Sequence, residues 1–155
     1  MSTYDGSQRS HWLGAPTISL DRSDFESTIL ARFAHATDAA TAYVERLGDR
    51  QVAKAQALLP FNAIVFALLT MTDARTVLPR LATLGALLAV LAALFALATL
   101  YTSWGSSTEF ATAQAEFKRV CRQCYRRGYL LTFALCASAL ATVIAVLPLL
   151  RQFMP

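Results

Sequence analysis

Cys121 and Cys124 form a CRQC stretch, and Lys118, Arg119, Arg122, Arg126 and Arg127 crowd around it. Two thiols at that spacing serve as a redox couple or supply half of a metal site. No second CxxC and no histidine pair completes a zinc tetrahedron, since His11 falls in a polar tail and His35 on a helix. The neighbouring arginines are expected to lower a thiol pKa and to repel a cation. Packing of both cysteines in a helix seam is the competing reading. The basic residues also read two ways. They set orientation and touch anionic headgroups, at about 1 kcal/mol each, or they receive a phosphate-bearing ligand through planar guanidinium forks. Steps of three and four place Arg119, Arg122 and Arg126 on one helix face, and Arg46, Arg50 and Lys54 face them if the two helices pack. These six are the candidate ligand-binding residues. Cations at one level repel each other unless an anion or lipid intervenes. No glycine-rich phosphate loop, paired carboxylates or Ser/His/Asp set is visible, so neither enzymatic activity nor a metal is expected.

The elements that position these residues follow from the distribution of charge. The 155-residue chain is 55% apolar and only 15% charged, with a mean hydropathy of +0.43. Ordinary soluble domains carry about 25% charged residues. Charge is absent from residues 55–72, 81–108 and 128–150. About 17 to 25 apolar residues cross a hydrocarbon core, which predicts transmembrane helices over 55–72, 81–101 and 129–150. The expected fold is an all-α membrane protein, with three transmembrane helices and two cytosolic amphipathic helices forming a helical extension. Residues 1–22 hold no apolar signal core and read as a flexible tail.

Ser23 and Glu26 form a capping box that opens an amphipathic helix predicted over 23–54. Ile29, Phe33, Ala36, Ala40, Tyr43 and Leu47 recur along it at steps of four and three, a packing seam. A second box, Ser106 to Glu109, opens a basic helix over 106–128 with the seam Phe110, Ala113, Phe117, Val120 and Cys124. The seams fit two helices packed together; the alternative lays the second flat on lipid. At Lys54 polar residues give way to apolar ones, as where a helix passes from water into lipid. The lysine snorkels to the headgroups, and Pro60 kinks the span one turn deeper. Arg75, Arg80 and Arg151 fall on one side of the bilayer and the other eleven of the 14 basic residues on the opposite side. The positive-inside rule therefore places the N-terminus in the cytoplasm and the C-terminus outside.

Small residues line the second span (Ala82, Gly85, Ala89, Ala93, Ala96) and the third (Ala134, Ala137, Ala141, Ala145). That spacing lets helix backbones approach closely in lipid, although alanine is common enough here for chance alignment. The Asn62 amide is placed to bond across helices for about 1 kcal/mol. The spans contain no ionisable side chain, which argues against a proton-coupled transporter.

The stretch "KAQALLPFNAIVFALL" resembles the membrane-spanning effectors of Pycsar, the bacterial pyrimidine-cyclase antiphage systems. Their entry helix carries a Lys-Ala pair, a Leu-Leu pair and an asparagine in the first span, here Lys54, Ala55, Leu58, Leu59 and Asn62. That family usually has an acid two positions before the lysine, where this chain has Val52; its nearest acid is Asp49. The resemblance covers residues 40–150. It implies a defence effector of the bacterial inner membrane that senses cyclic UMP or cyclic CMP made by a partner cyclase. Sensing then impairs membrane integrity and causes abortive infection. The implied partners are membrane lipid, the activating nucleotide and further copies of the chain, with no nucleic acid and no other cofactor. Two rival readings remain: a ligand-independent holin-like or toxin protein, and a membrane-anchoring subunit for a soluble partner.

Overall fold

A computed structural model describes residues 22–71, 79–101 and 112–153, with side chains as far as Leu147. The predicted tail over 1–22, apart from Arg22, the box at Ser106 and Glu109, and seam residue Phe110 lie outside the described residues. The protein is all-helical: α1 (Arg22–Arg32), α2 (Thr37–Met71), α3 (Pro79–Tyr101) and α4 (Ala113–Phe153), with no strand among the described residues. α2, α3 and α4 are each long and apolar enough to cross a membrane, as a multi-pass membrane protein requires.

The helix predicted over 23–54 is not continuous. It breaks between Arg32 and Thr37, where Ala34 (φ 47°) and His35 (φ 64°) adopt left-handed backbone. His35 N donates to Leu30 O at 2.9 Å and Ala34 N to Ala31 O at 3.2 Å, the paired bonds of a Schellman ending. Two non-glycine residues in that region cost about 1–2 kcal/mol each. Folding α1 back offsets this, because burying Phe25 and Ile29 contributes about 1.5–3 kcal/mol apiece. The start of α1 also differs from expectation. Ser23 is its second residue, and Glu26 accepts from Arg22 Nε at 3.0 Å.

The basic helix predicted from residue 106 begins instead at Ala113, with Thr112 as its cap. Thr112 Oγ1 accepts from Ala115 N at 3.3 Å, satisfying one of the orphan donors of the first turn. The predicted basic helix and third span are one helix, since α4 runs 41 residues without a break. α2 likewise continues through Pro60 to Met71. The proline removes one backbone donor without ending the helix.

The chain forms two compact units. Unit 1 takes α1, α2 as far as Gln51, and α4 as far as Tyr129, so its helical extension has three helices rather than two. Phe25, Ile29, Ala40, Val44, Phe117, Val120, Cys121 and Cys124 form its core. Rings close its edges: Phe25 lies 6.2 Å from Tyr125, and Phe33 5.4 Å from Tyr43, with Arg32 over the Tyr43 face. The predicted seams are only partly those observed. Ala36 and Ala113 are exposed, and Phe33, Tyr43 and Leu47 are half-buried, while Val44 and Cys121 take central places.

Unit 2 takes the rest of α2, α3 and the rest of α4. Its helices meet through small residues: Ala82, Gly85, Ala89, Ala92, Ala96 and Thr99 on α3, and Ala134, Ala137, Ser138, Ala141 and Ala145 on α4. Ala92 and Thr99 join the predicted stripe, and Ala93 is half-buried. Large apolar side chains point outward, Leu87 being 63% exposed. That is wasteful in water and natural against acyl chains.

Six described polar side chains of unit 2 make hydrogen bonds within it. Thr70, Thr83, Thr99 and Thr142 each donate to the carbonyl four residues back, at 2.8–2.9 Å. Asn62 Nδ2 donates to Leu58 O at 2.8 Å, and Ser138 Oγ donates to Asn62 Oδ1 at 2.9 Å, linking α2 to α4. Ser138→Ala alone is expected to cost about 1–2 kcal/mol, because it strands a buried acceptor. The double variant Asn62→Leu with Ser138→Ala should recover about half or more of the summed single losses. Thermal unfolding of all three variants in one detergent checks this; simple additivity would show that the bond is uncoupled.

Candidate functional site

Five of the six predicted ligand-binding residues are exposed and none is buried in the seam. Arg46, Arg50 and Lys54 are exposed on α2; Arg122 and Arg126 are exposed and Arg119 half-buried on α4. Helix geometry gives the reason. Each residue turns the helix about 100°. Arg46 follows buried Val44 by two residues and therefore lies about 200° round from it. Arg122 and Arg126 flank buried Cys124 by two residues on either side, with the same result. Arg46, Arg50, Arg122 and Arg126 therefore lie outside the seam of unit 1.

The arginine that enters the seam is the next one, Arg127. Three residues beyond Cys124 and seven beyond Val120, it falls on the buried face and is 2% exposed. The matching position on α2 is Gln51, seven residues after Val44 and 1% exposed. Neither was among the residues expected to bind a ligand. Their steps of seven from apolar seam positions were the signal, masked by polar side-chain type.

The polar atoms there are unevenly matched. Cys124 Sγ donates to Gln51 Oε1 at 3.8 Å, while the buried Gln51 Nε2 makes no hydrogen bond. Burial draws the Arg127 pKa below its ordinary value, while Cys124 and exposed Asp49 act the other way. The guanidinium stays charged at neutral pH. Unit 1 thus keeps a cation and a spare amide donor within an apolar seam.

The same burial overturns the expectation for the CRQC thiols. Arg122 and Arg126 point away, and burial pushes Cys121 up to about 12, helped by Glu26 and Cys124. Burial also pushes Cys124 up to about 12 against the opposing pull of Arg127 and Gln51. Both are free thiols and hold their protons at neutral pH, where the thiolate would be the nucleophile. Among the described residues, no three His, Cys, Asp or Glu side chains are grouped to hold a metal.

The thiols make stability depend on alkaline pH. Their folded pKa exceeds the ordinary 9.0, so the folded state binds protons more tightly and stability is intact below about pH 9. It is lost as pH rises from there toward 12. Melting of the reduced protein at about pH 8 and about pH 10.5 should show the fall. A Cys121→Ala, Cys124→Ala variant should show a flatter profile.

The motif at the start of the first span has a packing role in unit 2. Ala55 and Asn62 are buried, Leu58 and Leu59 pack against Ala55, Ala96, Leu131 and Ala134, and Lys54 is exposed. No protein-family model matches the chain, and neither a characterised protein nor a solved structure matches it significantly.

Proposed function

We propose that this protein is a ligand-responsive effector of the bacterial inner membrane, acting in antiphage defence. It senses cyclic UMP or cyclic CMP with its cytosolic unit 1 and then impairs the membrane through unit 2. The observation that supports this best is a pair of helices, α2 and α4, each running unbroken from a polar unit into an apolar one. The polar unit holds a buried arginine and an unbonded amide nitrogen on those same helices. The Lys54, Ala55, Leu58, Leu59 and Asn62 motif supplies the family resemblance.

In this reading a cyclic phosphodiester carries one negative charge and is drawn to a basic surface that includes Arg46, Arg50, Lys54, Arg119, Arg122 and Arg126. Charge of one sign raises the local ligand concentration. Binding shifts the protein between two arrangements only by its differential affinity for them. Moving a population from 1:99 to 99:1 takes about 5.5 kcal/mol of such preference. The small-faced helices of unit 2 then repack or assemble into oligomers that breach the bilayer.

The test is membrane potential in bacteria expressing the chain, with and without cyclic UMP or cyclic CMP. Nucleotide-dependent depolarisation is expected. Equal depolarisation without nucleotide would assign the chain to the holin-like or toxin class. No depolarisation in either condition, with a stoichiometric soluble protein co-purifying, would make it an anchoring subunit.

A further inference from the structure

We infer that unit 2 holds a binding site for an anionic phospholipid, with an acyl chain in a groove between α2 and α3 and the headgroup phosphate at Arg80. The groove encloses about 130 Å³, and its lining includes Phe66, Leu69 and Thr70 near the end of α2 and Thr83, Leu87 and Val90 in the first half of α3. That volume would hold about four waters at about 30 Å³ each. The described lining gives them little to bond. Its two polar side chains have already used their hydroxyl protons, since Thr70 donates to Phe66 O and Thr83 to Pro79 O, both at 2.9 Å. The rest of the described lining is aliphatic and aromatic, and hydrocarbon fills such a groove without stranding a polar group.

Charge decides which lipid fits. Arg80, Thr83, Leu87 and Val90 follow one another at steps of three, four and three, which sets them along one stripe of α3. The stripe starts at an exposed guanidinium and runs into the apolar lining. Thr83 to Val90 spans about 10 Å, and Arg80 lies about 4.5 Å beyond Thr83 toward the start of the helix. Charge is absent from residues 81–108, so Arg80 stands at the edge of the hydrocarbon. A guanidinium fork takes two phosphate oxygens side by side. The first-turn amides of α3 have no carbonyl partners within their own helix and add positive potential at the same end. Phosphatidylglycerol brings a net negative charge to this place, whereas the ammonium of phosphatidylcholine cancels its own phosphate. The site rests on unit 2 crossing a bilayer and not on the nucleotide reading.

The test places the full chain in phosphatidylcholine bilayers with a trace of phospholipid carrying a diazirine in one acyl chain. The probe headgroup is either phosphatidylglycerol or phosphatidylcholine. After irradiation the adducts are located by peptide mass spectrometry, so lipid held at the arginines of unit 1 is counted separately. Exposed Leu140 and Val143 on α4 report ordinary lipid contact. Relative to them, adducts within 66–70 and 83–90 are expected to favour the phosphatidylglycerol probe about fivefold, which corresponds to about 1 kcal/mol per basic residue near a charged surface. Arg80→Gln should bring that ratio to about one while adducts on α4 stay unchanged. Val90→Phe, which fills the groove, should lower the adducts there for both probes. Both substitutions fall at exposed positions, and unchanged helix content confirms that the variants fold. Equal labelling by the two probes in the parent overturns the site, as does a preference that survives Arg80→Gln. Groove adducts that Val90→Phe leaves undiminished overturn it as well.

Discussion

Replacing Phe117 with alanine is expected to remove about 3–5 kcal/mol of packing from unit 1. Phe117 has no exposed surface, in a core otherwise built from one alanine, two cysteines, two valines, one isoleucine and one other, less deeply buried phenylalanine. A domain holds only about 5–15 kcal/mol of net stability, so the loss is a large share of what keeps three short helical segments together. Unit 2 has its own clusters and does not depend on this ring. The variant should therefore still fractionate with membranes, while Cys121 and Cys124 become open to maleimide. Thiols that stayed protected in the variant would show that the ring is not what holds the seam closed.

The second large effect falls in unit 2, at Gly85. A Cβ there would lie 2.9 Å from Ile144 Cγ2 and 3.0 Å from Leu69 Cδ1. Ile144 is β-branched and stiff about its first torsion, and Leu69 is fully buried, so neither gives way readily. Gly85→Ala gains about 1 kcal/mol in helix propensity, which offsets most of its own strain. Gly85→Val gains less in helix propensity, adds two more methyl groups to the same contact, and should cost about 2–3 kcal/mol, as overpacked interiors do. Melting in one fixed detergent separates the two variants. A valine variant as stable as the glycine parent would mean that α3 does not approach α2 and α4 so closely.

Much of the fold was legible in the sequence, and the failures have physical causes. Gaps in charge located the three apolar helices, and the small residues of α4 fell where their spacing put them. The break after Arg32 was invisible because its left-handed positions are held by Ala34 and His35, not by glycine or asparagine. Long-range burial of Phe25 and Ile29 decided it, and no local pattern encodes that. The basic cluster was legible as a face but not as an inside or an outside. Arg119, Arg122 and Arg126 do share a face, but that face lies opposite Cys124, and a helical period alone does not say which face is inside. Arg127 and Gln51 were passed over because buried polar side chains break the pattern that seams are read from. Such breaks are where functional groups are most often found.

The internally closed hydrogen bonds of unit 2 bear on whether its described helices could pass ions. Thr70, Thr83, Thr99 and Thr142 return their hydroxyls to their own helix, and Ser138 bonds to Asn62. An ion threading this arrangement would shed its hydration and find no oxygen waiting to replace it. Ion passage between these described helices would demand that at least some of these oxygens be turned toward a lumen first.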